Sequence, residues 1–107
     1  MSTADSHEAV VREIRSEKAG ALARVAEGLE RALADLARVE AAIARATRVS
    51  AALLATRDDC ISEAGERLWY FVIQREAVGL MRHDTVFDVY RVPNEVRLAM
   101  GPRRRAR

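Results

Sequence analysis

The sequence has little of what builds a turn-rich, disulfide-linked or membrane-spanning protein. Its 107 residues include two prolines, five glycines and one cysteine. So little proline and glycine excludes a turn-rich β fold, and the abundant Ala, Leu, Glu and Arg favour helices. Cys60 cannot form an internal disulfide, which is typical of a reducing cytosol. The longest apolar run, 68–73, is far shorter than the roughly 20 residues that cross a bilayer. We therefore expect a cytoplasmic helical protein with no membrane span.

Charge and targeting signals narrow the possible classes of protein further. The first residues carry neither a basic start nor an apolar stretch, which predicts no secretory signal. The net charge is +2, but it belongs to the end of the chain. Without four terminal arginines, 14 basic residues remain against 16 acidic ones, so the body is slightly acidic. Those four are Arg103, Arg104, Arg105 and Arg107.

Motifs of catalysis and of metal or phosphate binding are also missing. The chain has no glycine-rich phosphate loop, no Gly-x-Ser-x-Gly, no Cys-x-x-Cys and no His-Glu-x-x-His. Its two histidines, His7 and His83, have no spacing relative to Cys60 that suits zinc. We expect no catalytic residue, no metal and no cofactor, and we interpret Cys60 as a small apolar side chain.

The first half of the chain lacks aromatic residues and reads as one long helix over 6–47. From residue 22 its apolar positions follow a heptad, which predicts a seam for packing against another helix. Small residues flank the seam, so close antiparallel packing is favoured over a parallel zipper. We interpret the seam as the contact between copies of the chain. Its members are Leu22, Val25, Leu29, Leu36, Val39 and Ile43.

Four arginines also recur every seven residues along this helix. Acidic residues lie between them, and Glu27 and Arg31 are spaced for an i,i+4 ion pair. The pattern favours a solvated face with local ion pairs over a ridge that binds phosphate. The arginines are Arg24, Arg31, Arg38 and Arg45.

The second half holds every aromatic residue, and we expect most of the packed core there. A second helix is predicted over 50–79, where Gly79 resembles a C-terminal cap. Short helices are predicted over 84–91 and 93–100, the latter opened by a proline. Residues 102–107 are expected to be a disordered, arginine-rich tail.

A polar cluster follows the apolar run and has two interpretations. Arg75 falls on the apolar stripe of its helix, so it needs a partner, for which Glu76, Asp84 and Asp88 are candidates. The favoured interpretation is a polar clasp between the second helix and the short helices. The alternative is a small pocket for an anion. The candidate residues are Trp69, Gln74, Arg75, Glu76, His83 and Tyr90.

Residues 85–101 are arranged like a helix-turn-helix unit, with the arginine-rich tail behind them. Three observations oppose a nucleic-acid function. The body is acidic, the second helix carries Glu95, and its apolar face is suited to packing. Nucleic-acid binding therefore stays the alternative function, and the tail alone would attract polyanions only weakly.

Two stretches resemble a known group of proteins. Residues 69–80 read Trp-x-Phe-Val-x-Gln-Arg-Glu-Ala-x-Gly-Leu, and residues 90–96 read Tyr-x-Val-Pro-x-Glu-Val. With Glu17-Lys18-Ala19 and Met100-Gly101, the chain is similar over most of 13–101 to small uncharacterised bacterial proteins classed as a domain of unknown function. The resemblance implies a single helical unit and brings no activity, cofactor or catalytic residue. Val78 departs from the cysteine expected there.

These observations predict an all-α protein. It is a long antiparallel helical hairpin with short C-terminal helices packed on it, and it pairs with a second copy as a four-helix bundle. The predicted function is a non-enzymatic oligomerisation or protein-interaction module. The predicted binding partner is a second copy of the chain, and the alternative partner is another protein.

Overall fold

The computed structural model describes residues 3–103 and confirms the all-α hairpin. No strand occurs within these residues, and no helix among them is long and apolar enough to cross a membrane. The helices of this part of the chain are α1 (Thr3–Arg45), α2 (Ala51–Ala77), α3 (Asp84–Val89) and α4 (Asn94–Leu98).

Both ends of α2 are set by local capping chemistry. At the start, the Ser50 hydroxyl accepts a hydrogen bond of 3.0 Å from the backbone N–H of Leu53. At the other end, Leu80 N–H donates to the Arg75 carbonyl and Gly79 N–H to the Glu76 carbonyl. This is a Schellman motif, which needs a left-handed residue, and Gly79 has φ +90°. Serine and glycine at these positions therefore fix where α2 begins and ends.

The hairpin closes over one hydrophobic core. The middle of α1 supplies one face of it, the second half of α2 supplies the other, and α3 and α4 each add a buried valine. Burial of apolar area, at about 25 cal/mol per Å², is what stabilises this arrangement. The fully or nearly buried side chains are Leu29, Ala32, Leu36, Ala64, Leu68, Phe71, Val72, Val86 and Val96.

The short helices fold back along α2. Tyr90 lies edge-on to Phe71, with 5.9 Å between ring centroids. Further along, the end of α4 lies directly on Gly65, where an added Cβ would be 2.4 Å from the Ala99 carbonyl oxygen. The turn between α3 and α4 places Arg91 at φ 49°, a left-handed conformation unusual outside glycine. The contact between α4 and Gly65 thus depends on a close backbone approach, which a side chain at residue 65 would block.

The molecule is elongated. Its extents are 70 × 27 × 23 Å and its radius of gyration is 18.5 Å, whereas a compact chain of this length has about 13 Å. The cause is α1, which at 1.5 Å per residue is about 64 Å long, against about 40 Å for α2.

Several predicted boundaries differ from the observed ones. α1 begins at Thr3 rather than at residue 6, with Asp5 inside its first turn, where a carboxylate stabilises the helix dipole. The short helices are two or three residues shorter than 84–91 and 93–100. Arg103 was expected in a disordered tail, yet it pairs with Asp59 and Glu63 on α2. The prediction for 104–107 lies outside the described residues.

Candidate interaction surface

α2 ends well before it reaches the start of α1. The side chain of Arg67 lies beside Gly28, where an added Cβ would be 3.6 Å from Arg67 Cδ. Ala77, the last residue of α2, lies ten residues or about 15 Å beyond Arg67. Because the helices are antiparallel, α2 ends about level with Lys18. Residues 3–18 therefore project beyond it, and we name them the extension.

No described residue outside α1 covers the apolar side chains of the extension. All of its residues are exposed except Val11, which is half-buried. Val10 and Ile14 expose 52% and 47% of their surface. These three side chains are one turn or less apart along the helix and form a continuous apolar stripe.

Two residues of the stripe, Val11 and Ile14, continue the face of α1 that packs on α2. Val11 precedes Val25 by two heptads and Ala32 by three, and both of those residues lie in or against the core. Ile14 precedes Gly28, which lies beside α2, by two heptads. Positions seven residues apart share one face of a packed helix. Val11 and Ile14 thus continue one edge of the face that α2 covers further along. Val10 instead precedes the exposed Arg24 and Arg31 by two and three heptads, and Glu8 and Arg15 occupy the positions that Leu22 and Leu29 fill two heptads later.

More exposed apolar residues lie where α2 ends. Leu80, which closes the Schellman motif, and Met81 after it are exposed. On the last turns of α2, Tyr70 and Ile73 are exposed on one side of the hairpin. They line a shallow depression together with Arg24, Val25, Arg67 and Gln74.

The predicted oligomer seam lies mostly inside the chain. Leu29 and Leu36 are buried in its own core. Leu22 and Val25 are half-buried against that core, and Val39 and Ile43 are also half-buried. The use of this seam by a second copy stays a prediction, and no surface of Leu29 remains for it.

The arginine ladder lies along an open groove beside α2. Arg31 and Arg38 line a depression of about 250 Å³ with Gly28, Asp35, Glu63 and Arg67. Arg38 pairs with Asp35, and Arg67 pairs with Glu63 at 2.8 Å, which raises the pKa of Arg67. The predicted pair between Glu27 and Arg31 does not form within the described residues. Of the four arginines of the ladder, only Arg38 has an ion pair within the described residues, so the solvated face with several local ion pairs stays a prediction.

The centre of the polar cluster is Arg75. Its Nη2 donates to the Arg82 carbonyl at 2.7 Å and its Nε to His83 Nδ1 at 3.4 Å. The other ring nitrogen of His83 is buried without a hydrogen bond and lies 3.8 Å from Glu76. The expected carboxylate partners of Arg75 are therefore replaced by a carbonyl and an imidazole. These contacts tie the last turn of α2 to the loop before α3.

The remaining cluster residues are dispersed. Tyr90 contacts Phe71, and Trp69 is half-buried with its ring 5.4 Å from that of Tyr70. Gln74 is exposed and lines the shallow depression beside Tyr70 and Ile73. The six candidates thus do not line one pocket, and anion binding there stays a prediction.

The helix-turn-helix-like segment uses its polar residues within the chain. Glu95 accepts hydrogen bonds of 2.5 and 3.1 Å from Arg57, which holds the pKa of that carboxyl below its usual value. Arg57 also pairs with Glu40 of α1 at 3.2 Å, so it joins three helices. Arg97 lies over the Phe87 ring at 4.3 Å. Glu95 and Arg97 are therefore engaged in holding α4.

Cysteine and metal chemistry gain no support from the geometry. Burial, followed by nearby Asp35 and Asp59, raises the pKa of the Cys60 thiol, which keeps it protonated and less nucleophilic. Between residues 3 and 103, no group of three or more His, Cys, Asp and Glu side chains could hold a metal ion.

Sequence reasoning missed the extension as a surface. Of the seam positions that precede Leu22, Val11 is apolar, but Glu8, Arg15 and Lys18 are charged. The predicted seam therefore starts only at Leu22. Extending the frame of the seam two heptads toward the N-terminus gives Glu8, Val11, Arg15 and Lys18, so the heptad alone does not reveal Val10 and Ile14.

Comparison with known proteins gives the chain a family but no activity. A family model matches residues 1–106. The chain belongs to DUF6665, a family of unknown function. The predicted resemblance to a domain of unknown function is thereby confirmed, and DUF6665 brings no assigned residue to this chain. No curated protein and no solved structure matches it.

Proposed function

We propose that the protein is a non-enzymatic oligomerisation module that binds a second copy of itself through the extension of α1. The observation that carries this proposal is a set of apolar side chains, Val10, Val11 and Ile14, that no described residue outside α1 covers. Most helices in proteins are stabilised by packing of an apolar face, and the extension lacks such packing on Val10 and Ile14. A partner helix on the stripe would supply that packing and remove Val10 and Ile14 from water.

The composition of the extension suits reversible association. It carries three large apolar residues among charged ones, which keeps a monomer from exposing a large apolar patch. The surface it offers is small, so we expect association at micromolar concentrations rather than an obligate dimer.

Replacing Ile14 by glutamate tests this function. The wild-type chain should approach twice its 11.9 kDa mass in sedimentation equilibrium as its concentration rises to about 0.5 mM. Ile14→Glu puts an unpaired charge into the contact, at a cost of about 2 kcal/mol or more, and should weaken association at least about 30-fold. Because Ile14 contacts no core residue, the circular dichroism spectrum of the Ile14→Glu variant should match that of the wild type.

Val89→Glu is the matched control. Val89 is another exposed valine, 68% accessible on α3, and lies outside the extension. This variant should associate like the wild type. A wild-type chain that remains at 11.9 kDa throughout, or equal loss with Val89→Glu and Ile14→Glu, would contradict the proposal.

A further inference from the structure

We infer that the contact between α2 and the loop before α3 responds to pH, because His83 exchanges Arg75 for Glu76 when its imidazole is protonated. The two ring nitrogens of His83 face opposite charges on consecutive residues of α2. The exchange gives residues 80–83 one set of contacts with neutral His83 and another set with its cation. It takes place within one chain, so it is independent of how two copies associate.

The observed contact requires a neutral imidazole. Nε of Arg75 can only donate, and it lies 3.4 Å from Nδ1 of His83, so Nδ1 is the acceptor. A neutral imidazole with an unprotonated Nδ1 carries its single proton on Nε2. Nε2 is buried and has no hydrogen-bond partner among the described residues. A buried polar group without a partner is rare in native proteins, which indicates that another state of His83 uses this nitrogen.

The carboxylate of Glu76 is placed to accept from this nitrogen. Oε1 of Glu76 lies 3.8 Å from Nε2 of His83, about 1 Å beyond hydrogen-bond distance. The side chain of Glu76 is 40% exposed, so it can rotate toward His83 without displacing the core. A hydrogen bond from a cationic donor to a carboxylate is roughly twice as strong as one between neutral groups. Glu76 therefore favours the protonated form of His83.

Protonation of His83 removes the acceptor that Arg75 uses. A cationic imidazole donates from both nitrogens, so the N–H on Nδ1 would then point at the Nε–H of Arg75. Like charges at this separation, 3.4 Å between the two nitrogens, repel each other. Arg75 retains its 2.7 Å hydrogen bond to the carbonyl of Arg82, so the guanidinium turns away from His83 but stays on the loop. The loop is thus held by Arg75 twice when His83 is neutral, and by Arg75 and Glu76 once each when it is charged.

The other charged residues around His83 do not take part in this exchange. Arg82 and Asp84 flank it in sequence, and Asp88 lies one turn along α3. Within the described residues, none of these side chains forms a hydrogen bond or an ion pair with His83. Imidazoles take up a proton between about pH 5 and pH 8. The exchange is therefore controlled by Arg75 and Glu76 and falls within this pH range.

Long-range ¹H–¹⁵N correlation spectra of the full chain, at a concentration where it is monomeric, test the exchange. At about pH 8, Nδ1 of His83 should be unprotonated and Nε2 protonated, and at about pH 5 both should carry protons while the Arg75 Nε–H resonance shifts. His7, which is exposed on the extension, is the internal reference and should show a mixture of neutral tautomers at the higher pH. A protonated Nδ1 of His83 at the higher pH, or an Arg75 Nε–H resonance that does not move between the two, would overturn the inference.

Two variants test the opposing charges. Glu76→Gln removes the charge that favours protonation, so half-protonation of His83 should need about tenfold more protons, or about one pH unit. Arg75→Met removes the charge that opposes protonation and should move half-protonation by about one unit in the other direction. Glu30→Gln, an exposed change on α1, is the control and should leave it in place. The same half-protonation pH in the wild type and in Glu76→Gln would contradict the exchange, and this comparison does not depend on whether Arg75→Met folds.

Discussion

Replacing Gly65 by alanine will detach α4 from α2. A Cβ on residue 65 would lie 2.4 Å from the carbonyl oxygen of Ala99, 2.7 Å from its carbonyl carbon and 2.9 Å from its Cβ. These are mostly backbone atoms, so no side-chain rotation relieves the overlap. Overpacking of this kind costs about 3 kcal/mol. The displaced α4 would also withdraw Val96, which is fully buried, from the core.

Urea unfolding followed by circular dichroism measures this loss at a concentration where the chain is monomeric. The control is Gly28→Ala, the same substitution in the interior of α1. Its Cβ would meet only Arg67, at an ordinary 3.6 Å, and alanine favours a helix over glycine by about 0.5–1 kcal/mol. The two changes should therefore have opposite signs. A Gly65→Ala chain as stable as the wild type would contradict the observed position of α4.

Replacing Leu68 by alanine will cost about 2–5 kcal/mol of stability, because Leu68 is fully buried at the centre of the core. The truncation removes apolar burial and leaves a cavity between α1 and α2. Small domains are stable by about 5–15 kcal/mol, so this one change removes a large fraction of the total.

Leu98→Ala removes the same atoms from a leucine that is 79% exposed on α4. Its effect should be within about 0.5 kcal/mol of zero. The difference between the two unfolding midpoints therefore isolates burial from the chemistry of the substitution. Similar losses of stability for Leu68→Ala and Leu98→Ala would contradict the burial of Leu68 at the centre of the core.

The elements of the fold were predictable where local chemistry decides them. The heptad over residues 22–43 predicted the long helix, and the serine and glycine at 50 and 79 marked the ends of α2. Those signals act within one or two turns of the chain, and sequence spacing alone reveals them. The C-terminal helices were likewise marked by Pro93 and Gly101.

The candidate surface was not predictable because it depends on contacts between distant residues. A heptad shows which face of α1 packs, but the register of α1 against α2 decides where that packing stops. The contact of Gly65 with Ala99 joins positions far apart in sequence, and no residue pattern near either position predicts it. Arg75 similarly found a backbone carbonyl and His83 instead of the expected carboxylates.

The maximum dimension of the associated chain tests the central claim most directly. Two molecules 70 Å long that overlap only along their extensions, by about 25 Å, form a particle about 115 Å long. Small-angle X-ray scattering at a concentration where the dimer dominates should give that length. A dimer only about 70–75 Å long would mean that the hairpins lie side by side, and it would contradict association through the extension.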